Sequence, residues 1–294
     1  VSGRVLVVGP ASWNRIVLLD RLPEPVPHTV VARHAWHTVG GTSAGKSLSL
    51  AGAGREVVLS TQLADDPAGE LVRSVLTAAG VQVRAEPADV TEQHLNLMTP
   101  AGERVSIYLA HPPAGPDDEE HDRAVRELMA GSAVVVLDLG AEPRRLLPTA
   151  RAAGRPIWTD LHDHDGRADF HQPFLEAADA VFVNGDATSD PLDLLARCLR
   201  HGAAFAVCTL GAEGAIAVER SGRVHRVAAV PVEVVDTNGA GDAFFAGVLD
   251  AHLAGAELPE ALAAGARSAA RVLGSRHLHP ALDELLSPAD PGGR

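Results

Sequence analysis

The sequence predicts an α/β fold, with a mostly parallel central sheet covered by helices on both faces and a small separate β sheet. Three observations lead there. Short apolar runs alternate with helical stretches along most of the 294 residues, the pattern of parallel strands joined by crossover helices. Two segments instead alternate polar with apolar residues, as strands with one exposed face do. A turn containing Gly239 and Gly241 separates a β-rich run from a long helical stretch. The length suits one α/β domain over 1–294 with an appendage.

Taken in order, "RVLVVG" (4–9) reads as a buried strand and "SAGKSLSLAGAG" (43–54) as a helix closed by Gly54. "EVVLSTQLA" (56–64) is a strand. "PAGELVRSVLTAAG" (67–80) is a helix with Leu71, Val75 and Leu76 on one face. Strands follow at 81–86, 133–140, 156–161, 180–185 and 203–211, and a final helical region starts near Asp242. The alternating segments are 28–38 and 93–110, the second with a turn at "TPAGE" (99–103), so it reads as a hairpin. A small sheet of this kind in a parallel-sheet protein has the form of a lid over an active site. Residues 112–122 read as a polar connector and "SPADPGGR" (287–294) as a frayed tail.

Composition narrows the function. Hydrophobic residues make up 46% and charged residues 21%, a globular balance. The net charge of −13 argues against nucleic acid or an anionic membrane as partner. Cys198 and Cys208 are flanked by apolar residues and read as buried thiols of a cytoplasmic protein. No secretory leader opens the sequence given, and no run reaches the ~18 apolar residues of a membrane span. Of 25 basic residues only Lys46 is a lysine.

That lysine completes a G-x-x-x-x-G-K-S pattern through Gly40, Gly45, Lys46 and Ser47, the spelling of a phosphate loop. The apolar run 133–140 offers Asp138 as a magnesium-holding partner. Against this, the flank "HAWHTV" is a poor buried parallel strand. The second glycine turn is more informative. In "VPVEVVDTNGAGDAFFAGVLDAHLAG" (230–255), glycines precede a helix N-terminus, where backbone N–H groups and the helix dipole favour an anion. On the residues alone, Asp242 is either a helix cap or a carboxylate that faces the hydroxyl receiving a phosphoryl group. "TDLHDHDGRADFH" (159–171) reads as a solvated loop, with Asp160 near the substrate, in preference to a metal site at His162, His164 and Asp165. "HLH" (277–279) reads as a surface loop, and Trp13 and Trp36 as lid packing or as platforms for a sugar or base.

"DTNGAGDAFFAG" (236–247) is similar to the C-terminal signature of the ribokinase/PfkB family of carbohydrate and nucleoside kinases. "VVGPASWN" (7–14), "GGTSAGKSLSLAGAG" (40–54), "VFVNGDAT" (181–188) and "CTLGAEGA" (208–215) match further motifs of that family in order and spacing. The resemblance implies a ribokinase-like three-layer α/β/α sandwich with lid segments at about 10–38 and 93–112. It implies transfer of the γ-phosphoryl group of ATP to a hydroxyl of a small sugar, with a nucleoside as the alternative acceptor. It makes the phosphate-loop spelling coincidental.

The family places catalysis on Asp242 with the backbone of Gly239, Ala240 and Gly241. It places the acceptor beside Asn14, Gly40, Gly41, Lys46 and Asp242, and the nucleotide beside Asn184, Thr209, Gly211, Gly214, Gly239 and Gly241. Mg²⁺ is the implied metal, with a monovalent cation and a homodimer through the lid as further family features. This chain departs from the pattern at three places. Asn14 stands for an Asp, and Gly45 for an Asn whose contact Lys46 is expected to supply. The family's Asn-x-x-Glu reads Asn184-Gly185-Asp186-Ala187, with Asp186 as the stand-in metal ligand. Lys46 hints at an acidic group on the acceptor, while the scarcity of other basic residues in these motifs favours a neutral sugar.

Overall fold

The computed structural model describes residues 3–115 and 118–286. The expected tail at 287–294 lies outside the described residues, as do positions 116 and 117 of the connector. The chain opens with β1 (Val5–Val8), β2 (Ser12–Leu18), β3 (His34–Gly40), α1 (Thr42–Gly52), β4 (Val57–Leu63), α2 (Pro67–Ala78) and β5 (Gln82–Pro87). It continues with β6 (Gln93–Met98), β7 (Arg104–Ala110), α3 (Glu119–Ala130), β8 (Val134–Leu137), α4 (Ala141–Arg145), α5 (Leu147–Ala153), β9 (Ile157–Asp160), α6 (Gln172–Ala177) and β10 (Ala180–Asn184). The last part holds α7 (Pro191–Leu199), β11 (Phe205–Thr209), β12 (Ala215–Glu219), β13 (Val224–Val227), α8 (Ala240–Leu253), α9 (Leu258–Leu273) and α10 (Ala281–Leu286).

Nine strands form the main sheet in the order β13-β12-β11-β10-β9-β8-β1-β4-β5. Pairing is parallel from β11 to β5, and β12 and β13 add antiparallel at one edge. β1 shows why the apolar runs are unbroken. Val5 and Val7 face a core built with Leu48 of α1, Val72 of α2 and Phe245 of α8. Leu6 and Val8 face a second core with Val125 of α3, Leu147 of α5 and Leu194 of α7. A strand covered on both faces has no polar side to alternate with. The long loops therefore collect at the C-terminal ends of the strands, where sites of open parallel sheets form.

The lid is a four-stranded sheet ordered β3-β2-β6-β7; of the expected segments, 93–98, 104–110 and the 34–38 part of 28–38 pair away from the main sheet, while 28–33 form no strand. Its central pair, β2 and β6, is parallel, while β2–β3 and β6–β7 are antiparallel. Register puts Asn14, Thr38, His94, Asn96, Met98 and Arg104 on one face, and Trp13, His37, Leu95 and Ile107 on the other.

Four local expectations are corrected. Leu71 is exposed and Val72 takes its place in the core of α2, because the buried stripe passes through 72, 75 and 76. The β-rich run 230–235 forms no strand, and Val230, Val232, Val234 and Val235 lie exposed. The segment at 277–279 is no surface loop: His277 and His279 are buried, and His277 Nδ1 lies 2.9 Å from Thr38 Oγ1 of the lid. His164 is likewise buried, with its Nδ1 2.9 Å from that of His171.

Candidate active site

Asp242 sits in the first turn of α8, whose N-cap is Gly239 with φ 78°. Its carboxylate does not cap the helix. Oδ1 receives Lys46 Nζ at 2.9 Å and the hydroxyl of Thr42. Among the described residues no donor is recorded on Oδ2. This oxygen lies against Gly45, where an added Cβ would fall 2.8 Å from it. Gly45 thus stands here because the carboxylate occupies the space of a side chain.

Lys46 is fully buried. Besides Asp242, its ammonium pairs with Asp138 at 3.0 Å and Asp160 at 3.3 Å, both at the ends of central strands. Burial alone would lower its pKa, but the three carboxylates outweigh that and raise it. Burial raises Asp138 above the usual carboxylate range in spite of Lys46. Burial pushes Asp160 the same way, but His162 and Lys46 prevail and hold it below that range. Removing one partner of such a buried cluster typically costs about 3–5 kcal/mol.

Lys46, expected beside the acceptor, has its ammonium held by Thr42, Asp242, Asp138 and Asp160 in the structure. The phosphate-loop reading fails, because the strand before the pattern is β3 of the lid and the lysine points to carboxylates.

Gly40 and Gly41 are required by close approach. A Cβ at Gly40 would meet Asn14 Nδ2 at 1.9 Å, and one at Gly41 (φ 93°) would meet the Pro10 carbonyl at 2.4 Å. They bring Asn14 and the start of α1 together. The lid face that carries Asn14 also touches the glycine turn: Arg104 Nη1 donates to Asn238 Oδ1 at 2.6 Å, and Asn238 Nδ2 to Met98 Sδ at 3.3 Å. On that face Ser12 Oγ, Asn14 Oδ1 and Asn96 Oδ1 are buried with no hydrogen-bond partner among the described residues. Buried polar atoms are nearly always paired, with protein, water or a ligand, so these three oxygens mark a polar surface under the lid. Trp13 turns to the other face and stacks on His37, while Trp36 packs under Arg276.

Gly241 faces open space, as a cradle for an anion requires, and first-turn N–H groups of a helix are free for one. The Ala240 N–H reaches the Thr237 carbonyl at a long 3.4 Å. Asn184 and Thr209 are register partners at the ends of β10 and β11. Asn184 Oδ1 accepts the Asp186 N–H at 3.0 Å, and the Gly185 N–H donates to the Thr209 carbonyl at 2.9 Å. Gly211 and Gly214 follow with φ 56° and 94°. These four line one side of the sheet's C-terminal edge, with Asp160 and Asp138 beyond them. Sequence reasoning missed Thr42 and Asn96, and weighed Asp138 only as a phosphate-loop partner. A threonine after two glycines and an asparagine in an alternating strand carry no local mark of function. The helix 261–273 packs on α8 through Gly265, whose added Cβ would lie 2.8 Å from the Phe244 carbonyl.

Residues 171–284 match the model of the pfkB family of carbohydrate kinases. The chain is 33% identical over 271 residues to the acarbose 7(IV)-phosphotransferase of an Actinoplanes species, covering 89% of each. Its structure resembles that of a microbiome-derived acarbose kinase, with a TM-score of 0.83 and 34% identity over 94% of each chain. It shares the fold of an Arabidopsis thaliana ribokinase complexed with ribose and ATP, with a TM-score of 0.77 and 21% identity over 95% of each. The chain belongs to the PfkB family of carbohydrate kinases. It is a ribokinase-like enzyme that transfers the γ-phosphoryl group of ATP to a sugar hydroxyl. No helix of the described residues is long and apolar enough to cross a membrane.

Proposed function

We propose that the chain is a single kinase domain over 1–294 that phosphorylates a neutral sugar, with Asp242 as the base. The observation that carries this is the carboxylate with one oxygen held and one without a donor among the described residues, together with a lid face holding three unpaired buried oxygens. The acceptor lies between that lid face and Asp242, beside Asn14, Gly40 and Gly41. Its hydroxyl proton passes to Asp242 Oδ2 as the hydroxyl oxygen bonds to the γ-phosphorus. The bond to the bridging oxygen of ADP breaks in line. The backbone of Gly239, Ala240 and Gly241 and the α8 dipole stabilise charge on the transferred group. Asn184, Thr209, Gly211 and Gly214 flank the nucleotide.

Mg²⁺ supplies charge neutralisation on the phosphates when bound. Among the described residues no group of three or more His, Cys, Asp or Glu could hold an ion. This fits a metal carried mainly by phosphate oxygens and water, with the exposed Asp186 as its protein ligand. Val105, Ile107 and Leu109 are exposed on β7, beside half-buried Leu95 and Leu97, and support a homodimer through the lid. The free buried cysteines suit a reducing, cytoplasmic setting.

The test is ADP formation with ATP, Mg²⁺ and a panel of acarbose, fructose, fructoselysine, ribose and adenosine. Turnover with a sugar supports the reading, and turnover with adenosine alone overturns it. Asp242→Asn should then lower kcat by roughly 10²–10⁴ with ATP affinity kept. Near-normal kcat in the folded variant would sink the assignment.

A further inference from the structure

Lys46 contacts no solvent, and its role does not follow from the phosphoryl transfer just described. If it served only to hold α1 to the sheet, Asp138 would suffice, since that carboxylate is itself fully buried 3.0 Å from the ammonium. The ammonium instead reaches on to Asp242 Oδ1, together with Thr42 one helical turn earlier on α1. Thr42 and Lys46 are four residues apart and so stand on one face of the helix. Gly45 lies against the opposite oxygen of the same carboxylate. Three residues of one helix thus meet one side chain that enters from α8, which lies 196 residues beyond Lys46 in sequence.

We infer that Thr42 and Lys46 are positioning residues that clamp Oδ1 of Asp242, so that Oδ2 alone is presented to the acceptor hydroxyl. This rests on the reading of Asp242 as the base. The clamp fixes the rotation of the carboxylate about its last torsion, which is otherwise broad. Asp138 and Asp160 hold the ammonium itself. The clamp acts on the chemical step and leaves the sugar and nucleotide contacts alone.

The experiment measures kcat, sugar KM, ATP Kd and Tm on the full chain, with whichever of acarbose, fructose or ribose turns over fastest. Thr42→Val keeps the shape and removes one donor. It should lower kcat about 10-fold, with sugar KM and ATP Kd within about threefold of the parent. Lys46→Met should lower kcat about 100-fold or more and also Tm, since three carboxylates lose their cation. Lys46→Met with Asp138→Asn removes one of those charges, so Tm should recover in part while kcat stays low. A parental kcat in folded Thr42→Val, or a kcat that recovers together with Tm in the double variant, overturns the clamp. Asp242→Asn measured alongside separates the two readings. If it is inactive while those variants turn over normally, only the clamp falls. If it retains turnover, the base assignment falls and the clamp with it.

Discussion

Gly45→Ala tests whether the proposed catalytic centre is built around a missing side chain. The added Cβ would lie 2.8 Å from Asp242 Oδ2, 3.0 Å from its Cβ and 3.1 Å from its Cγ. Carbon atoms at ease sit about 3.5–4.0 Å apart, so the Asp242 side chain must retreat by roughly 0.5 Å or more. The stability terms oppose each other. Alanine inside a helix gains about 0.5–1 kcal/mol over glycine, and overpacking costs about 1–3 kcal/mol. The contact reaches the Cβ and Cγ of Asp242 as well as Oδ2, so the net loss is about 1–2 kcal/mol. Tm should therefore fall by only a few degrees. Activity should respond far more, because Oδ1 is tied to Lys46 and Thr42 and the carboxylate must turn as it retreats. A misplacement of about 1 Å is worth about 100-fold in rate, so kcat is expected to drop about 10- to 100-fold. Sugar KM and ATP affinity should stay close to the parent. The assay is coupled ADP release at saturating sugar, with a thermal melt of the same preparation. A variant with parental kcat and a higher Tm would show that the contact does not orient Asp242, and the argument from Gly45 would be wrong.

Asn96→Leu should leave the free protein as stable as the parent or more so, because an unpaired buried oxygen is removed, while sugar KM rises about 10-fold. An unchanged KM would refute the role of the lid face. His164, His171, His277 and His279 all titrate below the ordinary 6.5 because burial penalises the imidazolium. The unfolded chain therefore takes up protons first, so stability is complete above about pH 6.5 and falls as pH drops through the folded values. Melts from pH 8 to 5 should show Tm falling from about 6.5 downward, and a flat profile would contradict the burial of these rings. Burial pushes the Cys198 thiol up to about 12 and Cys208 to about 11. Neither should react with a disulfide reagent at pH 8 until the chain is unfolded, and rapid reaction of the native protein would refute this.

Much of the fold was legible because periodicity is a local property. The unbroken apolar runs of β1, β8 and β10 announce strands covered on both faces, and the alternation in β6 and β7 announces a sheet with one open face. The glycine turn before α8 was legible for the same reason, since the φ of Gly239 and the free N–H groups belong to one short stretch. Segment 230–235 misled by the same logic. Its valines have β propensity but find no partner strand, and pairing is decided by the neighbour. His277 and His279 misled too, because a polar residue after a helix looks exposed until a lid strand supplies Thr38.

The sequence by itself determined the α/β class, the presence of a separate small sheet, the family and the helix start that carries Asp242, because each rests on motifs or periods contained in short stretches, whereas the central lid strand β2 carries no such mark. Only the tertiary structure decided what Lys46 does. Its partners Asp138, Asp160 and Asp242 come from two strand ends and a distant helix, and charges find each other through the fold. The same holds for Gly45, which reads as a weak helix residue until Asp242 is seen to fill the space where its side chain would be.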